Sequence, residues 1–143
     1  MFSLHIDTAR TWRGGQNQVL LTVNGLRALG QRAALVAHPD GELRRRAAEG
    51  LELIPIAPRT EMDLSAAWRL SRVLKRLTPD IVHAHDPHGV AMAALALSIG
   101  APRPAPALVA SRCLVQPSLR SGGLLETSKP YANNQSRNCV LKK

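Results

Sequence analysis

The fold is decided by residues 2–16, which read FSLHIDTARTWRGGQ. Apolar and polar side chains alternate over the first six of these residues, which is the periodicity of a strand. The glycine pair Gly14 and Gly15 follows, and residues 17–29 then place apolar side chains at helical spacing. A strand that turns through glycines into a helix lets backbone N–H groups approach a ligand closely, and the helix dipole favours an anion there. The alternative is a tight turn that has no ligand.

Further strand–helix units follow the first one. Strand patterns occur at residues 33–37, 51–56, 81–85 and 107–111, and helical patterns occur at residues 42–49, 63–77 and 87–99. Five strands alternating with four helices predict an α/β fold: a single Rossmann-like, open parallel sheet of about five strands with flanking helices. In such sheets ligands bind at the carboxyl ends of the strands.

The strand–helix alternation stops at Arg112. Residues 113–143 are rich in Ser, Asn and basic side chains and show no sustained period of either kind. We therefore predict one domain over residues 1–112, followed by an irregular tail over residues 113–143. The composition of the tail indicates a disordered or non-native segment, such as the product of a shifted reading frame.

The net charge of +9 does not indicate a nucleic-acid-binding protein. Residues 1–112 hold 14 basic and 9 acidic side chains, and the tail holds 5 and 1, so the charge is scattered. One Phe and one Tyr cannot build a stacking platform for single strands. The N-terminus lacks the pattern of a signal peptide, and the longest apolar stretch, residues 90–99, is too short to cross a bilayer. We expect a cytoplasmic protein.

Two nucleotide-binding fingerprints fail on this sequence. The dinucleotide pattern requires G-x-G-x-x-G, whereas Gly14 and Gly15 are adjacent and no later glycine follows at the required spacing. The chain also has no G-x-x-x-x-G-K-[ST] motif, which excludes a P-loop nucleotidase. We therefore expect no nucleotide cofactor.

Residues 83–88, which read HAHDPH, form a second polar constellation. His83 and His85 share one face of the predicted strand, and Asp86 and His88 lie just past its carboxyl end. The run is close to the H-x-H-x-D-H zinc motif of metallo-β-lactamase-type hydrolases, but the acid comes one place early. We therefore expect no metal and place these residues along a ligand cleft, with a position in the core as the alternative for His83. A metal-dependent hydrolase stays an alternative function.

A basic face is predicted on the helix over residues 63–77. Arg69, Arg72, Lys75 and Arg76 fall opposite its apolar stripe. Such a face is either solvated or placed on an anionic membrane surface. We keep peripheral contact with the cytoplasmic face of a membrane as an expectation.

The order of these elements resembles the N-terminal domain of GT-B fold glycosyltransferases of the retaining group called family 4. The matching segments are HID at residues 5–7, WRGGQ at residues 12–16, LRALG at residues 26–30, ALVA at residues 34–37 and PDIVHAH at residues 79–85. Together they cover residues 2–112. The resemblance implies transfer of a sugar from a nucleotide-sugar donor to a glycan or lipid-linked acceptor with retention, without any cofactor beyond this co-substrate.

The resemblance also implies roles for individual residues, although it identifies no catalytic one. It assigns the loop that meets the donor phosphate or sugar to Gly14, Gly15 and Gln16. It assigns the acceptor side of the cleft to His85, Asp86, His88 and Arg112. Many family members carry a histidine near the last of these positions, where this chain has arginine.

The family's second domain, with its basic residues on the diphosphate and its paired glutamates at the donor sugar, is not recognisable in these 143 residues. The chain therefore resembles half of an enzyme, and we predict that this half is inactive alone. The alternative is a binding subunit that docks a separate donor-binding chain.

Overall fold

The computed structural model describes residues 1–47, 49–60 and 62–111. Arg112 and the predicted tail lie outside the described residues. The elements follow in the order β1 Phe2–Asp7, α1 Gly14–Ala28, β2 Arg32–Ala37, α2 Glu42–Arg46, β3 Glu52–Pro55, α3 Leu64–Leu77, β4 Ile81–Ala84, α4 Pro87–Gly100 and β5 Ala107–Ala110. None of these helices is both long and apolar enough to cross a bilayer.

All five strands pair in parallel, in the spatial order β3-β2-β1-β4-β5. This arrangement confirms the predicted open α/β sheet. The chain runs from β1 outward to β3, then crosses to β4 on the other side of β1, so the strand order reverses between β1 and β4. That reversal is the topological switch point at which doubly wound sheets bind ligands.

Two helices cover each face of the sheet. One core forms between α1, α2 and the sheet, around Val19, Val23 and Leu43. The other forms beneath α3 and α4, around Leu70 and Met92. β1 lies between both cores, and all six of its residues are buried. Its polar side chains therefore need partners within the protein, because an unpaired buried polar group is costly.

The structure corrects the predicted start of α1. Gly14 and Gly15 are the first two residues of the helix, not a turn before it. Arg13 is the extended residue that precedes them, and its backbone N–H donates to the Oε1 atom of Gln16 at 3.1 Å. The side chain of Gln16 thus caps the helix start. This cap allows the two glycines to form the first turn although their intrinsic helix propensity is low.

Other boundaries differ from the predictions by a few residues. α2 ends at Arg46 instead of residue 49, and β4 ends at Ala84, so His85 follows the strand. The end of α1 lies within one residue of the prediction: the helix ends at Ala28, Leu29 caps it, and Gly30 follows with a φ of +73°. α3 begins after Asp63, whose side chain accepts from the backbone N–H of Ala66.

Candidate functional site

The switch point brings the chain after β1 and the chain after β4 together. Thr8, which follows β1, donates its backbone N–H to Oδ1 of Asp86 at 2.9 Å and its hydroxyl to Oδ2 at 2.6 Å. The backbone N–H of His85 donates to the carbonyl of Ile6 at 2.9 Å. The start of α1 and residues 85–88 therefore lie at the same edge of the sheet, as expected from parallel strands.

Asp86 anchors α4. Besides binding Thr8, its Oδ2 atom accepts the backbone N–H of Gly89 at 3.2 Å, which caps the helix. A Cβ atom at Gly89 would lie 2.6 Å from Oδ1 of Asp86 and 3.1 Å from the side chain of Ile6. Any other residue at position 89 would therefore force Asp86 or Ile6 to shift. Both carboxylate oxygens of Asp86 bind groups of the protein itself. A role of Asp86 at the acceptor stays a prediction.

Asp7 links the end of β1 to the start of α1. Its buried carboxylate accepts from Nε2 of Gln16 at 3.0 and 3.3 Å and from the backbone N–H of Ala9 at 3.0 Å. Burial raises the pKa of Asp7, while these hydrogen bonds oppose the shift. The sequence reasoning missed Asp7. The available signal was an acidic residue at the carboxyl end of the central strand.

Neither the backbone nor the packing of the protein requires glycine at the predicted site positions Gly14 and Gly15. Both are exposed, and a Cβ atom at either position would have no heavy atom within 4 Å. Neither has a positive φ that would demand glycine. They lie in the first turn of α1, where backbone N–H groups have no partner within the helix. This end of α1 is open to close approach from outside.

A cleft of about 570 Å³ opens at the carboxyl ends of β1, β2 and β3. Its polar and charged lining consists of Thr8, Arg10, His38, Asp40, Arg59, Thr60, Arg69 and His88. Among the predicted site residues, His88 lines this cleft, whereas His85, Asp86 and the glycines do not. The sequence reasoning missed Arg10 and Arg59, and it placed Arg69 only on the basic face of α3. Arg10 and Arg59 follow the carboxyl ends of two strands, which is the signal that could have identified them.

The electrostatics of the cleft favour an anion. Three arginines and one aspartate line it. Nε of Arg10 donates to Nε2 of His38 at 2.9 Å, and partial burial together with the Arg10 charge lowers the pKa of that histidine. His38 is therefore neutral near pH 7 and accepts this hydrogen bond, while the arginines supply the positive charge.

Three imidazoles meet beside β1 and β4, and we call His5, His83 and His85 the histidine cluster. His5 lies opposite His83 in the β1–β4 register. The ring centroids of His83 and His85 are 4.0 Å apart, and each lies 5.3 Å from that of His5. Nδ1 of His5 lies 3.0 Å from Nε2 of His85.

The environment of the cluster keeps its imidazoles neutral. Burial and the neighbouring His83 lower the pKa of His5 to about 4. Burial, followed by the charges of His83 and His5, lowers the pKa of His85 to about 3. Burial also lowers the pKa of His83. Two serine hydroxyls pair with the cluster, Ser3 with Nε2 of His5 at 3.1 Å and Ser111 with Nε2 of His83 at 2.6 Å.

The structure separates residues of the 83–88 run that the sequence places next to one another. Residues 83–88 do not converge as one ligand set, because Asp86 binds Thr8 and Gly89, while His88 lines the cleft. The third member of the cluster is His5, from a strand about 80 residues away in the chain. His83 is half-buried at the sheet face rather than enclosed in the core.

The predicted basic face of α3 carries apolar side chains as well. Arg69, Arg72, Lys75 and Arg76 are all exposed. Leu64 and Trp68, one helical turn apart near the start of α3, are 62% and 52% exposed. The guanidinium of Arg72 lies 5.0 Å from the centre of the Trp68 ring. A shallow groove of about 400 Å³ runs beside Trp68, with Arg69, Arg72 and Arg76 among its lining residues.

Comparisons with known proteins agree with this architecture. Residues 13–135 match the model of the glycosyl transferase 4-like domain. The matched range extends past residue 112, where we predict the domain to end, and that boundary stays a prediction. The search of curated protein sequences found no match.

Among solved structures, the chain is similar to a Listeria monocytogenes protein predicted to be a UDP-N-acetylglucosamine 2-epimerase, whose crystal structure has a resolution of 2.2 Å. The TM-score is 0.51 and the sequence identity is 14%. The likeness covers 77% of this chain but only 30% of that protein. At this identity the similarity shows a shared fold and nothing more.

Proposed function

The chain belongs to the glycosyl transferase 4-like family, and on that premise we propose that it forms the acceptor-side half of a retaining glycosyltransferase. The donor is a nucleotide-sugar, and the acceptor is a glycan or a lipid-linked molecule. Transfer requires a donor-binding domain, supplied by the same chain or by another one. The observation that carries this proposal is the arginine-lined cleft at the carboxyl ends of β1, β2 and β3, beside the switch point of a family-matched sheet.

The position of the cleft supports its assignment to the acceptor. It is open on the side where the strands end and is lined by residues from five segments of the domain. His88 and Thr8 place one wall of it beside the chain that follows β4. The positive lining suits an acceptor that carries an anionic group, because burying that group against arginines offsets its loss of water.

The start of α1 supports a separate role toward the donor. A glycine near a helix N-terminus costs stability relative to alanine, and neither the backbone nor the packing of this chain requires one at positions 14 and 15. A ligand that approaches the first turn of α1 closely would require glycine at these positions, because a side chain there would block it. The amides there and the helix dipole suit the phosphate or sugar of a nucleotide-sugar.

We also propose that the protein works at the cytoplasmic face of a membrane. Leu64 and Trp68 offer an apolar tip, and the exposed basic side chains of the predicted basic face follow it along α3. Such a pattern suits an anionic lipid surface, at which each basic residue contributes about 1 kcal/mol. Arg69 lines both this surface and the cleft, so a lipid-linked acceptor would reach the cleft along α3.

The membrane proposal is tested by sedimentation with lipid vesicles. We expect binding to vesicles that contain anionic lipid, weaker binding to zwitterionic ones, and loss of binding at high salt. Arg72→Glu should weaken binding about tenfold or more, whereas Arg44→Glu on α2, at the opposite face of the sheet, should change it little. Equal weakening by both substitutions would contradict a binding surface on α3.

The transfer proposal is tested by extending the chain. The DNA downstream of the codon for Arg112, read in all three frames, shows whether a second Rossmann-like domain is encoded. The 143-residue chain alone should transfer no sugar from any nucleotide-sugar, because orientation of donor and acceptor, worth roughly 7–11 kcal/mol, needs both sides of the cleft. The extended chain should transfer, and NMR of the product should show the anomeric configuration of the donor.

The same assay separates the binding-subunit alternative. If a second chain co-purifies from the native host and restores transfer to the 143-residue chain, the donor-binding side is a separate subunit. If the 143-residue chain turns over a nucleotide-sugar without a partner, the half-enzyme proposal is wrong.

A further inference from the structure

The resemblance places only His85 of the histidine cluster on the acceptor side, and the transfer proposal gives none of the three rings a chemical role. Its rings lie on the α1 face of the sheet, beside the β1–β4 pair, and none of the three lines the cleft. Three clustered imidazoles are unusual beside a central strand, because each carries two polar nitrogens that must be satisfied. The described serines satisfy one nitrogen of His5 and one of His83.

We propose that the histidine cluster binds one divalent transition-metal ion, of the chemistry of Zn²⁺, through one nitrogen each of His5, His83 and His85. One such nitrogen from each ring lies within 4.8 Å of the other two. Three imidazoles with water in a fourth position form a known tetrahedral zinc arrangement. Because His83 and His85 are only partly buried, a water molecule can reach that position.

The closest pair of nitrogens already has nearly the spacing that a metal needs. Nδ1 of His5 and Nε2 of His85 are 3.0 Å apart and share one proton at most. Zinc–nitrogen bonds of about 2.0–2.1 Å at a tetrahedral angle separate two ligand atoms by about 3.3 Å. The pair therefore needs to open by about 0.3 Å. One nitrogen of His83 lies within 4.8 Å of both of them.

The serine partners orient two of the ligands. If Ser3 and Ser111 keep their hydrogen bonds to Nε2 of His5 and Nε2 of His83, Nδ1 of each ring is left for the metal. Partners of this kind fix the tautomer of a metal-binding histidine.

The donor set decides the class of metal. Within the described part of the chain, the ligand group consists of imidazoles alone, without a carboxylate. Mg²⁺ and Ca²⁺ prefer oxygen ligands, whereas imidazole suits zinc, copper, nickel and cobalt. The site should therefore bind Zn²⁺ or Co²⁺ and ignore Mg²⁺.

The test is metal titration of the full 143-residue chain after treatment with a chelator. A Cys113→Ser, Cys139→Ser background removes the two thiols, which also bind zinc. We expect one Zn²⁺ per chain by calorimetry, a higher midpoint of thermal unfolding with Zn²⁺ than with Mg²⁺, and visible Co²⁺ absorption of a tetrahedral site. His83→Asn should weaken Zn²⁺ binding at least about 100-fold, since ligand loss should exceed the 10–100-fold effect of outer partners.

His38→Asn and His88→Asn serve as matched controls, because they make the same change at histidines outside the cluster. Imidazole NMR of the unsubstituted histidines gives a second measurement that does not depend on any variant being folded. Zn²⁺ should shift the signals of His5, His83 and His85 and leave those of His38 and His88 in place. Absence of binding at millimolar Zn²⁺, or an equal loss of affinity in the His83→Asn and His88→Asn variants, would overturn the proposal.

Discussion

The chain that follows β1 and the chain that follows β4 reach the same edge of the sheet, but the fold uses them differently. After β4, Asp86 caps α4 and binds Thr8, and Gly89 is glycine because Asp86 and Ile6 leave no room for a Cβ atom. After β1, Gly14 and Gly15 face open space. Polar and small residues at a strand end can therefore serve the fold or a ligand, and only their contacts tell the two apart.

The largest effect on stability is expected from Gly89→Ala. The added Cβ atom would lie 2.6 Å from Oδ1 of Asp86 and 3.1 Å from Ile6, so the cap of α4 or the central strand must shift. We expect the free energy of unfolding to fall by about 1–3 kcal/mol, the usual cost of overpacking. Urea denaturation measures it.

Gly25→Ala is the matched control for Gly89→Ala. Gly25 lies in α1, and a Cβ atom there meets nothing within 4 Å. This substitution should raise the free energy of unfolding by about 0.5–1 kcal/mol, the advantage of alanine over glycine inside a helix. Similar changes in both variants would contradict the close packing of α4 on β1.

The next effect is expected from Asp86→Ala. Removing the carboxylate leaves the backbone N–H groups of Thr8 and Gly89 without their partner. Unsatisfied donors in a partly buried site cost about 1–3 kcal/mol, so we expect a loss of about 2 kcal/mol in the urea experiment. Thr8→Val removes only the hydroxyl and should cost less. A loss below 0.5 kcal/mol for Asp86→Ala would show that Asp86 is not structural.

Much of the fold, but less of the site, could be predicted from the sequence. Periodicity is local, so the five strands and four helices could be identified with boundary errors of a few residues. The start of α1 was wrong because the hydrogen bonds of Gln16 to Arg13 and Asp7 outweigh the poor helix propensity of glycine, and those bonds depend on three-dimensional contacts.

The site residues that were missed depend on which strands become neighbours. His5 joins His83 and His85 only because β4 pairs with β1 in a register that sets His5 opposite His83. Arg59 enters the cleft because β3 ends on the same side as β1 and β2. Arg69 enters it because α3 begins there. Neither the pairing nor the register can be read from a local pattern, although residues that follow strand ends could have been considered together.

A smaller effect is expected at the cap of α3. Asp63 accepts from the Ser65 hydroxyl and from the backbone N–H groups of Arg59 and Ala66, all within four residues of it. Unlike Asp86, it binds no distant segment through these contacts. Asp63→Ala should therefore cost about 1 kcal/mol, the usual value for the loss of a helix cap.

The contribution of Asp63 to the free energy of unfolding should fall at low pH. The Ser65 hydroxyl, followed by the Arg59 and Ala66 amides, holds the pKa of Asp63 well below its ordinary 3.8. Its stabilisation is present above pH 3.8 and is lost as the pH falls toward the lowered pKa. The difference between wild type and Asp63→Ala should therefore shrink below pH 3.8, and a difference that grows there would contradict the cap.

The smallest effect on stability, with the largest expected effect on function, belongs to Gly15→Val. A Cβ atom at position 15 would have no heavy atom within 4 Å, so we expect the free energy of unfolding to change by less than about 0.5 kcal/mol. In the extended, transfer-competent enzyme the same side chain would block a ligand at the first turn of α1 and should abolish most sugar transfer. Gly25→Val, later in the same helix and equally open, should leave transfer intact. Because we expect both variants to keep the fold, a difference in their transfer activity reports on ligand binding alone. Full transfer by Gly15→Val would show that the start of α1 is not part of the donor site.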